Sequence, residues 1–158
     1  MPEIDEYIID LSAVEEPVEL EIPEDEPITL EAVFGDVTLD QSNITISKIA
    51  GDVLGGHKIV KLNSSGKAIY ADKDIIEDAN QVLGITKHSA SANESIYIQT
   101  YGEMIEPTWN WNLALPIFLG NNGVLTQTAP TSGFTLIIGF PLTVTSIYID
   151  IKQPIIIN

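Results

Sequence analysis

Two stretches of this chain are variants of one another, and that repetition constrains the fold more than any other feature. With Gly66 set against Gly123, KIVKLNSSGKAIYA (58–71) aligns with LPIFLGNNGVLTQTA (115–129). Farther along, VLGIT (82–86) aligns with IIGFPLT (137–143), and SIYIQT (95–100) with SIYIDI (146–151). A unit used twice can be related by a pseudo-twofold axis, with each copy burying the inner face of the other. The stretch joining the copies, from Ile96 to Pro130, holds both tryptophans, Trp109 and Trp111.

The repeated unit reads as β structure. Short runs rich in β-branched and aromatic residues are separated by turn signals, and they predict strands over 44–48, 57–62, 67–71, 82–86, 95–101, 115–119, 124–128, 135–140 and 144–151. Turns are predicted at Ser64-Ser65-Gly66, Tyr101-Gly102-Glu103, Asn121-Asn122-Gly123 and Thr131-Ser132-Gly133. Asn-Asn-Gly is the strongest of these, because Asn and Gly tolerate positive φ. Only DKDIIEDANQ (72–81) has helical character, enough for a turn or two. Strands recurring this closely indicate a small all-β barrel or sandwich rather than a parallel sheet with crossover helices. The closing PIIIN is apolar to its end and predicts a packed C-terminus.

Charge divides the chain differently. Residues 1–40 carry fourteen of the 23 acidic residues and no Lys, whereas residues 41–158 carry nine acids and all seven lysines, a net of −2 against −16 for the whole. We therefore read residues 1–49 as an acidic N-terminal arm for docking or oligomerisation. Residues 50–158 form the body, duplicated over about 57–106 and 115–157. The arm alternates in short pieces, with VELEI (18–22) and ITLEAVF (28–34) separated by PEDEP (23–27). Burying Val18, Leu20 and Ile22 contributes about 1.5–3 kcal/mol each. Fixing five backbone residues costs roughly 1–2 kcal/mol apiece. The two nearly cancel, so such a strand orders only against something else, and Val18, Leu20, Ile22, Ile28 and Leu30 are the candidate docking or oligomerisation residues. An apolar fraction of 44% in a chain this short also favours association into a homo-oligomer.

Composition excludes several function classes. With no arginine and a net charge of −16, phosphate tracking on nucleic acid is not expected, because that affinity comes from basic side chains displacing counterions. The absence of cysteine rules out disulfides and thiolate metal sites. MPEIDEYIID lacks the basic and apolar regions of a signal peptide, and no apolar run approaches the roughly 18 residues of a membrane span, so a protein made in the cytoplasm and not membrane-bound is expected.

No catalytic residue, cofactor site or metal site is expected either. AGDVLGGHKI (50–59) has the glycines of a phosphate loop but would need Lys at 57 and a hydroxyl at 58, where His57 and Lys58 stand. His57 and His88 lack a nucleophile setting such as G-x-S-x-G. Glu24-Asp25-Glu26 and the group Asp72, Asp74, Glu77 and Asp78 are oxygen-rich but do not follow a calcium-loop pattern. Trp109 and Trp111 alternate as strand residues do and are expected to point to opposite faces, one into the core and one to an interface or a ligand.

The run AGDVLGGHKIVKLNSSGKAIYAD, followed by QVLGIT, YGEMIEPTWNWNLALPIFLGNNGVLTQTAP and SIYIDIKQPIII, resembles a β domain of structural proteins from tailed bacteriophages and prophages. The resemblance covers about residues 50–158, and Glu-Pro-x-Trp-x-Trp is its specific part. It implies a non-enzymatic virion component on the particle surface, comparable to capsid-decorating or head-fibre proteins, working as a homotrimer and contacting a capsid or other virion protein. It implies no residue-level site. A tail-fibre or baseplate module, or a carbohydrate-binding module using an exposed tryptophan, is the alternative.

Overall fold

The computed structural model describes residues 43–157, and among them no α-helix occurs. The strands are β1 (Ile44–Ile49), β2 (Ile59–Leu62), β3 (Ala68–Tyr70), β4 (Val82–Thr86), β5 (Ser95–Ile105), β6 (Ile117–Leu119), β7 (Leu125–Thr126), β8 (Phe134–Thr135), β9 (Ile137–Thr143), β10 (Ser146–Ile149) and β11 (Ile155–Ile156). A 3-10 turn at Ile76–Asn80 supplies the expected short helical segment. Nine strands form one antiparallel sheet that curls as a half-barrel, so the chain is all-β as its pattern predicts.

The order along the sheet is β3-β2-β4-β5-β10-β9-β6-β7, with β1 also on β5. The order is a palindrome of the two copies: β2, β3, β4 and β5 correspond to β6, β7, β9 and β10. The pairings correspond residue by residue. Lys61 faces Ile69 and Leu62 faces Ala68 in the first hairpin; Phe118 faces Thr126 and Leu119 faces Leu125 in the second. Val60 opposite Gly84 matches Ile117 opposite Gly139, and a bulge follows both Val60 and Ile117. The equivalent strands β5 and β10 then pair with each other antiparallel, Ile105 opposite Ser146 and Gly102 opposite Ile149. The pairing is not reciprocal, because Ser95–Ile98, the equivalents of Ser146–Ile149, pair with β1.

One step departs from the repeat. Ile85 pairs with Gln99, but its counterpart Phe140 pairs with Tyr148, which the alignment matches to Tyr97. The first copy is thus displaced by two residues, which keeps every side chain on its face. The predicted turn at Tyr101-Gly102-Glu103 is instead the interior of an eleven-residue β5, because Gly102 takes φ of +93° and carries the strand onward to pair with β10. Residues 44–49, on the arm side of the expected boundary, lie in the sheet along β5.

Two cores lie against opposite faces of β2. Val60 packs with Ala50, Leu54, Ala68, Ile96 and Ile98. Its neighbour Ile59 packs with Ile85, Ile117, Leu119, Phe134, Ile138, Ile147 and Ile149. Burial on both faces explains why the strand opens on two consecutive apolar residues, Ile59 and Val60. Lys61, in that strand, pairs with the fully buried Asp78, whose second oxygen accepts the Asp72 amide at 2.9 Å. The C-terminus corrects the packed expectation: β11 pairs with β8, yet Ile155 and Ile156 are 66% and 46% exposed.

Candidate functional site

The glycine-rich loop ahead of β2 is a structural device. Gly55 donates its amide to the Tyr70 hydroxyl at 2.6 Å, and the Thr86 hydroxyl donates to the Gly55 carbonyl at 2.7 Å. The loop delivers His57 at φ of +55°, an uncommon conformation for a side-chain-bearing residue. Its amide is held by the Thr86 carbonyl at 2.8 Å. The His57 ring meets Glu106 (Nδ1 to Oε2, 3.4 Å) and stands edge-on to Trp109, ring centres 5.4 Å apart.

Glu106 is committed to its own loop. It accepts the Thr108 amide at 3.0 Å and the Thr108 hydroxyl at 2.8 Å. The amide, then the hydroxyl, and then His57 hold its carboxyl below the usual range. The cluster pins the 106–111 loop to the start of β2. Sequence reading missed it because His57 and Glu106 are 49 positions apart and share no motif.

The tryptophans lie differently from the expectation. Residues 106–116 form no strand, and the rings of Trp109 and Trp111 lie 5.4 Å apart, both half-buried against the same core. Glu106 to Trp109 and Asn112 to Leu115 are closed by backbone turns, which cancel the alternation that Trp-Asn-Trp suggested. The Trp111 indole nitrogen is buried and has no hydrogen-bond partner among the described residues.

Among the clefts open to solvent, two lie beside residues discussed above. One, of about 430 Å³, runs along Gly120, Val124, Thr126, Ala129 and Pro130, and its lysine, Lys73, is engaged by Asp74 at 2.7 Å and Ser132 at 3.2 Å. The other, of about 270 Å³, is lined by Asn43, His57, Lys87, Gln99 and Glu103. Asp72 and Asp74 cross-link loops: Asn121 donates to both, at 3.0 and 2.7 Å, and the Asn122 amide donates to Asp72 at 2.9 Å. Among the described residues, no three acidic or histidine side chains come together to hold a metal ion, and no helix is long and apolar enough to cross a membrane. His88 is exposed, its Nε2 3.2 Å from the Tyr97 amide.

The surface with the most unusual chemistry is the outer face of the β5–β10–β9 seam. The inner face carries Met104, Ile147, Ile149 and Ile138 into the core. The outer face of such an antiparallel sheet is ordinarily polar. Here Tyr101 and Tyr148 meet edge to face, with centres 5.3 Å apart, and Tyr148 stacks on Phe140 at 5.5 Å. Ile105, Phe140 and Leu142 are 64%, 45% and 43% exposed. The candidate docking residues Val18, Leu20, Ile22, Ile28 and Leu30, and the acids Glu24, Asp25 and Glu26, lie outside the described residues. No family model matches the chain, and no curated protein matches it.

Proposed function

We propose that this chain is a non-enzymatic structural protein of a tailed-phage virion, a β body displayed on the capsid and attached through its acidic arm. The observation that supports it is the free edge of β1. The chain enters through β1, which among the described residues pairs along one edge only, to β5, and leaves Ile44 and Ile49 52% and 43% exposed. A strand edge of this kind is a template for strand addition by another chain. The arm leads directly into it with further strand-patterned segments, of which VELEI supplies Val18, Leu20 and Ile22. Assembly as a trimer follows the resemblance to decoration and head-fibre proteins, and a capsid protein is the partner.

Gold-labelled antibody to the body, applied to intact particles of the phage or prophage that encodes the chain, tests the reading in negative stain. Label on the head is the expected result. Label on the tail moves the protein to the fibre or baseplate class, and absence of label overturns the virion assignment. Deletion of residues 1–42 is then expected to leave a folded body that no longer binds particles; the deletion stops before Asn43, because β1 belongs to the sheet.

A further inference from the structure

We infer that Asn122 is a site of spontaneous deamidation that the fold keeps closed, so that the chemistry proceeds only when the β6–β7 turn lifts off the first copy. This goes beyond the virion reading and does not depend on it.

The sequence has one Asn-Gly pair, Asn122-Gly123. In such a pair the glycine amide nitrogen, once its proton is lost to hydroxide, attacks the carbonyl carbon of the asparagine side chain. The side-chain nitrogen takes up a proton and leaves as ammonia. Water then opens the five-membered imide to aspartate or isoaspartate, so that water is consumed and ammonia released. Glycine favours the ring because it has no side chain to crowd it. Asn122 is exposed, so water and hydroxide reach it.

Two features of the folded turn oppose the first step. Ring closure needs the Gly123 nitrogen eclipsed with the Asn122 Cβ, whereas φ of +50° and ψ of +46° set that nitrogen nearly opposite Cβ about the Cα–C bond. The Gly123 amide also donates to the Ala71 carbonyl at 2.7 Å, and Gly123 is buried. Loss of its proton would leave a buried anion facing a carbonyl oxygen, which desolvation disfavours. Rotation about ψ is blocked while the turn is seated. The Asn122 amide is held by Asp72 at 2.9 Å, and Gly123 lies so close to β2 that a Cβ on it would meet the Ile59 carbonyl oxygen at 2.5 Å. The reactive geometry therefore requires the turn to leave Ala71 and Ile59, the carbonyls on which it rests against the first copy. An isoaspartate formed there lengthens the backbone between the two held amides by a methylene, so the turn cannot seat again as before.

The test incubates the full chain at mildly alkaline pH, native and unfolded in guanidinium chloride, and follows aspartate and isoaspartate at position 122 by peptide mapping. Conversion is expected to be at least ten-fold slower in the native chain. A native rate less than ten-fold below the unfolded one overturns the inference, and so does an absence of conversion at Asn122 in the denaturant. Asp72→Ala releases the Asn122 amide, and Asn121→Ala removes only the side-chain bonds to Asp72 and Asp74. Each is expected to speed native conversion several-fold while leaving the rate in denaturant unchanged, with tryptophan emission showing which variants stay folded. Native conversion no faster than that of the unsubstituted chain in a folded variant overturns the role given to the seated turn.

Discussion

Gly139 is a position where one added methyl group runs directly into backbone. A Cβ there would lie 1.9 Å from the Tyr148 carbonyl oxygen and 2.9 Å from its carbon. Normal contact requires more than 3 Å, so β9 and β10 must separate by over about 1 Å, which breaks hydrogen bonds of ordinary length. Two such bonds contribute about 1 kcal/mol each. Displacing the buried Ile138 and Ile149 beside them adds about 1–3 kcal/mol. Gly139→Ala is therefore expected to cost roughly 3–5 kcal/mol, which for a body of this size lowers Tm by about 4 °C per kcal/mol, or 12–20 °C. The control is Gly66→Ala, where φ is +73° but nothing lies within 4 Å, so only the backbone conformation is strained, at about 1–2 kcal/mol. Both substitutions remove the same unfolded-chain entropy, which cancels in the comparison. Thermal unfolding followed by tryptophan emission measures the gap. If Gly139→Ala melts at or above Gly66→Ala, the close approach of β9 to β10 is not what stabilises the second copy.

Acid and charge substitutions test the loop cross-links and the buried pair. The Lys73 ammonium, followed by Asn121 and Ser132, lowers the Asp74 carboxyl from its usual 3.8 to about 2. A depressed folded-state value means the stabilisation is present above pH 3.8 and lost as pH falls through 2. The Tm gap between the native chain and Asp74→Asn should therefore be open at pH 6 and close between pH 4 and 2; a gap unchanged over that range refutes the linkage. Lys61→Met leaves the buried Asp78 carboxylate without its cation and is expected to cost about 3 kcal/mol, with more than half regained in Lys61→Met/Asp78→Asn. No recovery in the double variant on chemical denaturation would show that Lys61 acts through packing alone.

The repeat was legible because hairpin register and bulge position are set locally. The offset that aligns Gly66 with Gly123 also aligns the bulges after Val60 and Ile117 and both hairpin registers. The two-residue slip at β5 was not legible, since sliding a strand by two preserves the pattern of faces and so leaves no trace in hydropathy. Gly102 was read as a turn because a glycine between Tyr and Glu carries the same signal whether φ of +93° bends the chain or lets a strand change partners. Trp-Asn-Trp offered three residues of alternation, too few to distinguish a strand from the successive turns that fold both rings onto one core. The contact of His57 with Glu106 depends on tertiary placement alone.

The two copies differ in which strand takes the second edge of the SIYI strand. In the second copy the SIYI strand, β10, pairs with β9 on one edge and with the extension of β5 on the other. In the first copy the SIYI strand, β5, pairs with β4 through Ile98 and Gln99 on one edge, and the other edge is taken by β1, Ile46 opposite Ile98 and Ile49 opposite Ser95. β1 thus fills beside the first copy the place that β5 fills beside the second. The duplicated unit is one strand short of satisfying its own edge, and the missing strand is recruited once from the partner unit and once from the segment that carries the arm. That ties β1 into the fold by backbone hydrogen bonds. Strain on β1 is therefore carried to β5, the longest strand and the one on which both copies meet.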